Sequence, residues 1–260
     1  MLLKTFLLSC GVKRLMNKQI IYVLLTIVLL MILWLGLFKL SYSNSRIRNK
    51  IAMLISSHTR VPVSYSFSLF ATVFYSSMPL LGSLILSKAF GFSLLPLFTN
   101  YTGATALPVD ILIGLLAVMS IDSVPLVMLA VINPKIRIDK EMQEVNWIAG
   151  ISKIPGKLSV LIPCISACCE EVFFRGAVLS AITYAGMSFG NAAVITTIFF
   201  ICNQVYLTKK PVQAFVLGAS SLAISIVSCV LIGLTGNLIP SFVIHASFAG
   251  FYASYKIQTQ

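Results

Sequence analysis

Two adjacent carboxylates and an arginine, Glu170, Glu171 and Arg175, lie in an otherwise apolar run, "SACCEEVFFRGAVLSA", at residues 166–181. An ionisable group at bilayer depth costs at least about 2.5–3.5 kcal/mol on insertion scales, so each one must be paired or used. On an α-helix, residues four apart stack on one face, which puts Glu171 with Arg175 and turns Glu170 about 100° away. The arginine can then neutralise one carboxylate while the other faces elsewhere. A structural Glu171–Arg175 pair beside a protonated Glu170 is the plain alternative.

The company these residues keep favours chemistry. Glu170 follows Lys157 by 13 residues, about 20 Å of helix from a basic loop. His245 precedes Lys256 by 11 residues, about 16 Å from the corresponding edge of the last apolar segment. The two side chains therefore reach similar depth. A carboxylate and an imidazole meeting in a low-dielectric cavity can hold and activate water, as a hydrolase requires. A single helical histidine is often only a packing residue, and the paired carboxylates on another segment count against that reading. His58, in the basic stretch "SSHTRVP", reads as solvated and uninvolved. Asp110 and Asp122 are the other acidic groups inside apolar segments.

The elements that must position these groups are membrane helices. The 260-residue chain is 58% hydrophobic and 10% charged, with a mean hydropathy of +0.97, which excludes an ordinary soluble core. We expect an all-α, polytopic transmembrane helical bundle. Spans of about 20 apolar residues run roughly over 20–40, 63–86, 107–132, 158–186, 191–207, 212–234 and 238–255. The stretch "FGFSLLPLFTNY" at 90–101 reads as re-entrant or interfacial, and would make the seven spans eight if it crosses with its neighbours. Residues 1–157 form N-terminal membrane helices and basic loops; residues 158–260 form the chemical core of one membrane domain.

A net charge of +12 raises the possibility of nucleic acid, but the basic residues sit at span ends, where topology explains them. Lys39, Arg46, Arg48, Lys50 and Arg60 form one cluster, and Lys135, Arg137, Lys140, Lys153 and Lys157 another. With Lys209, Lys210 and Lys256 they mark the expected cytoplasmic side of a cell-membrane protein. Alternation puts the N-terminus outside, against the charge of Lys4, Lys13, Arg14 and Lys18; a start at Met16 would remove three of these. "LLSC" at 7–10 faintly resembles a lipoprotein cleavage site behind too short an apolar stretch. Cys164, Cys168 and Cys169, one turn apart, read as small packing residues ahead of metal ligands or disulfides.

Taken together, these residues resemble the CAAX-processing and bacteriocin-processing (CPBP, or ABI) membrane proteases, related to type II CAAX prenyl endopeptidases. The family's E-E-x-x-x-R motif is matched by Glu170, Glu171 and Arg175, with Gly176 following. Its last motif, a histidine after a "TG-small-L-x-P" turn, is matched in "LTGNLIPSFVIHA" by His245. The resemblance covers about 158–255. Two positions depart from it. The middle motif, F-x-x-x-H, falls on "TIFFICNQVYL", where Phe199 pairs with Asn203 or Phe200 with Gln204 and no histidine is present. The asparagine four residues after the last histidine is replaced by Ala249.

The resemblance implies that Glu170 activates water, that Glu171 supports it while paired with Arg175, and that His245 is the remaining imidazole. Asn203 is the expected middle-motif residue, since an amide can hold water or donate to an oxyanion but cannot accept a proton as imidazole does. Family labelling raises zinc, which wants three or four N, S or O ligands; after Glu170 and His245 the supply is thin, with Cys202 beside Asn203 a further candidate, and a metal-free glutamate mechanism fits these residues better. The implied activity is an intramembrane endopeptidase acting on a membrane-embedded or lipidated peptide or protein, in contact with lipid and not with nucleic acid. The alternative is a catalytically impaired relative serving as a scaffold, bacteriocin-immunity or regulatory protein, which Ala249 and the missing histidine suggest. A transporter, with Asp122 and the small residues of "VLGASSLAISIVSCVLIGLTG" lining a path, is the third reading; small residues more often mean close helix packing.

Overall fold

The computed structural model describes the backbone of residues 2–254 and the side chains of residues 18–251. The expectations on "LLSC", the Met16 start, the charges before Lys18, and Lys256 lie outside the described side chains. Among the described residues twelve α-helices run in order: α1 (Leu2–Ser43), α2 (Ser45–Thr59), α3 (Val63–Phe90), α4 (Pro96–Thr99), α5 (Leu107–Ile132), α6 (Ile138–Gln143), α7 (Asn146–Ile151), α8 (Leu158–Glu171), α9 (Leu179–Tyr184), α10 (Phe189–Tyr206), α11 (Pro211–Thr235) and α12 (Ile239–Ser254). A π-helical turn, Val172–Val178, joins α8 to α9 without a break. No strand occurs among the described residues. The chain is an all-helical membrane protein.

Among the described residues five helices are long and apolar enough to cross a bilayer: Lys18–Ser43 of α1, then α3, α5, α10 and α11. The α8–π–α9 rod covers the expected fourth segment, and Ile239–Phe251 of α12 is a shorter apolar helix. The stretch at 90–101 is no eighth span. Its only helix is the four-residue α4, about 6 Å long at 1.5 Å per residue, and it braces the α11–α12 turn instead. Leu238 N donates to Leu97 O at 2.8 Å and Asn237 Nδ2 to Asn100 O at 2.6 Å.

Local chemistry sets the boundaries. Asn44 ends α1 and caps α2, its Oδ1 accepting from Arg46 N and Ile47 N at 3.0 and 3.2 Å. Prolines near the first turn open α5 and α11, where a missing N–H costs nothing. Gly236, at φ +66°, closes α11 in the left-handed conformation that a side chain would strain.

Lipid offers no hydrophobic reason for helices to associate, so close packing does the holding. α11 is central, with 67% of its apolar window buried against 11% in α5. α8 packs most extensively on α12, and small residues make that possible: a Cβ on Gly250 would lie 3.1 Å from Cys164 Sγ. Cys164 Sγ also sits 3.3 Å from Ala246 O, the packing role expected of it. Gly82 lets α3 touch the π turn, since a Cβ there would meet Phe173 Cε2 at 2.8 Å. The serines of α11, Ser220, Ser221, Ser225 and Ser228, are all buried.

Candidate active site

The π turn begins at the residue after Glu171, and Arg175 lies inside it. Such turns widen a helix locally and recur at functional sites. No residue type marks the place, and residues 172–178 hold no proline. The α-helical register assumed for Leu158–Gly186 is corrected here, yet the pairing it predicted is present: Arg175 Nη1 donates to Glu171 Oε1 at 2.9 Å, both side chains fully buried. The guanidinium lies over the Phe200 ring, 4.1 Å from its centroid, which adds a cation–π contact to the pair.

α12 brings His245 to the same place. Its Nδ1 is 2.8 Å from Glu171 Oε1, and its Nε2 is 3.6 Å from Glu170 Oε2. Glu171, tied to a guanidinium, is an acceptor, so Nδ1 carries the proton and Nε2 is the nitrogen turned toward Glu170. The Phe200 ring meets the imidazole edge-on at 5.3 Å and fixes its plane. The similar depths inferred for Glu170 and His245 bring the two within reach of one water molecule.

Glu170 is held by Tyr75, which sequence reasoning did not single out, and by Gln204, the other register weighed for the middle motif. Tyr75 of α3 donates its hydroxyl to Oε1, and Gln204 Nε2 donates to Oε2 at 2.8 Å. Asn203, the expected middle-motif residue, is fully buried and does not face Glu170; its Nδ2 donates to Tyr75 Oη at 3.0 Å. Both registers of the middle motif are therefore used, Gln204 toward Glu170 and Asn203 toward Tyr75. A polar-tipped aromatic in an apolar helix was the one signal for Tyr75, and many tyrosines carry it.

Glu170, Tyr75, Gln204 and His245 open on a cavity of about 780 Å³, counting its mouth. Its walls are largely apolar, with Phe38, Tyr42, Trp147, Phe248 and Ala249 among them. Trp147 and Ile151 belong to α7, which with α6 is strapped to the start of α11. Lys210 Nζ lies 3.0 Å from Glu141 and 2.6 Å from Glu144, and Lys209 Nζ donates to Asn146 Oδ1 at 2.9 Å. Glu144, then Glu141, raises the Lys210 pKa above its ordinary value.

The remaining candidates lie elsewhere. Asp110 is held at the start of α5 by Tyr101 and Thr105. Asp122 accepts from Ser220 Oγ, at 3.0 and 3.1 Å to its two oxygens. His58 is exposed on α2. The residues present do not suit a zinc ion. Glu171 is engaged by Arg175 and His245, Cys202 is exposed while its neighbour Asn203 is buried, and no three His, Cys, Asp or Glu side chains are arranged to hold a metal ion among the described residues.

Comparison with known proteins bears on the same segment. Residues 156–251 match the family model described as type II CAAX prenyl endopeptidase Rce1-like. No curated protein and no solved structure matches the chain. Glu170, Glu171, Arg175 and His245 all fall within the matched residues, so the segment that carries the candidate site is similar to the type II CAAX prenyl endopeptidases.

Proposed function

We propose that this protein is an intramembrane endopeptidase of the cell membrane that hydrolyses a peptide bond in a membrane-associated protein or peptide by glutamate-activated water. One observation carries the reading: Glu170 Oε2, Gln204 Nε2 and His245 Nε2 converge on one largely apolar cavity.

The steps follow from the donors. Water resting against Glu170 Oε2 and His245 Nε2 gives a proton to Oε2 as its oxygen bonds the scissile carbonyl carbon. The oxyanion accepts from the second Nε2–H of Gln204, whose first is committed to Glu170. The adduct collapses as the C–N bond breaks and Glu170 returns the proton to the departing nitrogen. Glu171 stays with Arg175 throughout and keeps the imidazole oriented. The apolar walls suit a hydrophobic substrate segment and keep bulk water from the carboxylate.

The test compares purified wild type with Glu170→Gln, at matched folding in liposomes, on a library of membrane peptides read by mass spectrometry. Cleavage by wild type alone supports the reading; equal cleavage by both defeats it. Ala249 favours a second reading, a lapsed enzyme kept as a scaffold, immunity or regulatory protein, because losing an oxyanion donor costs about 10²- to 10³-fold in rate. Under that reading wild type is silent, and Asn203→His with Ala249→Asn together gains cleavage.

A further inference from the structure

Asn203 occupies the middle-motif position but reaches Glu170 only through a neighbour. Its Nδ2 donates to Tyr75 Oη at 3.0 Å, and that hydroxyl donates its one proton to Glu170 Oε1. Tyr75 comes from α3, 95 residues before Glu170 and outside the matched segment 156–251. Its ring is clamped by α1, with Trp34 and Phe38 centroids at 4.9 and 4.8 Å. The phenol is 8% exposed and cannot turn away without dislodging both rings.

The two carboxylate oxygens of Glu170 are thereby made unequal. Oε1 is closed off by the phenol, whereas Oε2 meets only Gln204 at 2.8 Å and His245 Nε2 at 3.6 Å, on the cavity side. We propose that Tyr75 is a positioning residue that fixes the Glu170 carboxylate so that Oε2 alone receives the proton from water, and that Asn203 acts by holding the Tyr75 hydroxyl rather than by touching substrate. The inference rests on Glu170 being the base. It assigns to the N-terminal half a direct part in the site: α1 holds the ring, α3 delivers the hydroxyl, and the pair does for Glu170 what no histidine on α10 is present to do.

The charged groups facing Tyr75 and Glu170 from the packed elements are Glu171 and Arg175 on the α8–π segment and His245 on α12. All three are unchanged in the variants chosen. Tyr75→Phe keeps the ring between Trp34 and Phe38 and removes one oxygen; Asn203→Leu removes the amide at similar volume. Both are folded-state controls for each other, checked by thermal unfolding in detergent.

Two readouts decide the matter. The first is infrared titration of the Glu170 carboxyl band, assigned by its loss in Glu170→Gln, which needs no substrate. Tyr75→Phe is expected to shift its frequency and midpoint, Asn203→Leu to shift them less and in the same sense, and the double variant to match Tyr75→Phe alone. The second is cleavage of the membrane-peptide library. Tyr75→Phe is expected to lower kcat about 10- to 100-fold, the worth of a hydrogen bond to a charged group, to displace one limb of the pH profile, and to leave KM unchanged. A Glu170 band indifferent to Tyr75→Phe overturns the proposal, as do additive effects of the two substitutions. A shifted band in a protein that cleaves nothing supports the linkage and counts against the protease reading instead, so the two failures are separable.

Discussion

Replacing Glu171 and Arg175 separately and together should dissociate stability from activity. Both side chains are fully buried and bonded at 2.9 Å. Glu171→Leu leaves the guanidinium charged and buried without its carboxylate, and Arg175→Met leaves the carboxylate with His245. Breaking one partner of a buried pair costs about 3–5 kcal/mol, whereas replacing both with apolar groups of similar volume is often neutral or better. The double variant should therefore unfold close to wild type, giving a coupling of about 3 kcal/mol or more in a double-mutant cycle. The assay is reversible unfolding in mixed micelles, followed by helical signal. Activity should not return with stability, because His245 Nδ1 has lost its acceptor at 2.8 Å and the imidazole is free to turn Nε2 from the cavity. Additive losses of stability would refute the reasoning on the pair, and full cleavage by the double variant would refute the role given to Glu171.

Three further outcomes follow from the same geometry. Gln204→Ala removes a 2.8 Å donor to Glu170 and the proposed oxyanion donor together, so kcat should fall at least about 10²-fold with little change in melting temperature. Gly82→Ala places a Cβ 2.8 Å from Phe173; overpacking of this kind costs about 1–3 kcal/mol, and displacing the π turn should lower activity further, read by thermal unfolding and cleavage in parallel. Lys210 has a raised pKa, so its contribution to the α6–α11 strap is complete below the ordinary lysine value and fades as pH climbs through the raised one. Lys210→Met at neutral pH should speed hydrogen exchange in α6 and α7, and high salt should do the same to wild type; unchanged exchange would remove the strap from the account.

The helical bundle and part of the site were legible in the sequence for physical reasons. Apolar segments about 20 residues long declare helices, and i, i+4 spacing declared the Glu171–Arg175 pair. Depth counted from Lys157 and Lys256 was enough to bring His245 to Glu170. Tyr75 was not legible, because nothing local distinguishes it from the other aromatic residues of α3; its meaning is a contact across 95 residues. The π turn shifts the register by a fraction of a turn, and no residue type at 172–178 announces that. Asn203 and Gln204 are adjacent, so choosing one register for the middle motif hid the fact that a helix can turn neighbouring residues toward two different partners. The α6–α7 strap lies in a stretch read only for its charge.

The most direct test of the central claim is a single-turnover cleavage in ¹⁸O-labelled water with protein reconstituted in liposomes, using the best peptide from the library. The account predicts one ¹⁸O atom in the new C-terminal carboxylate with wild type and no product with Glu170→Gln. Product of equal yield and labelling from the Glu170→Gln protein would contradict it.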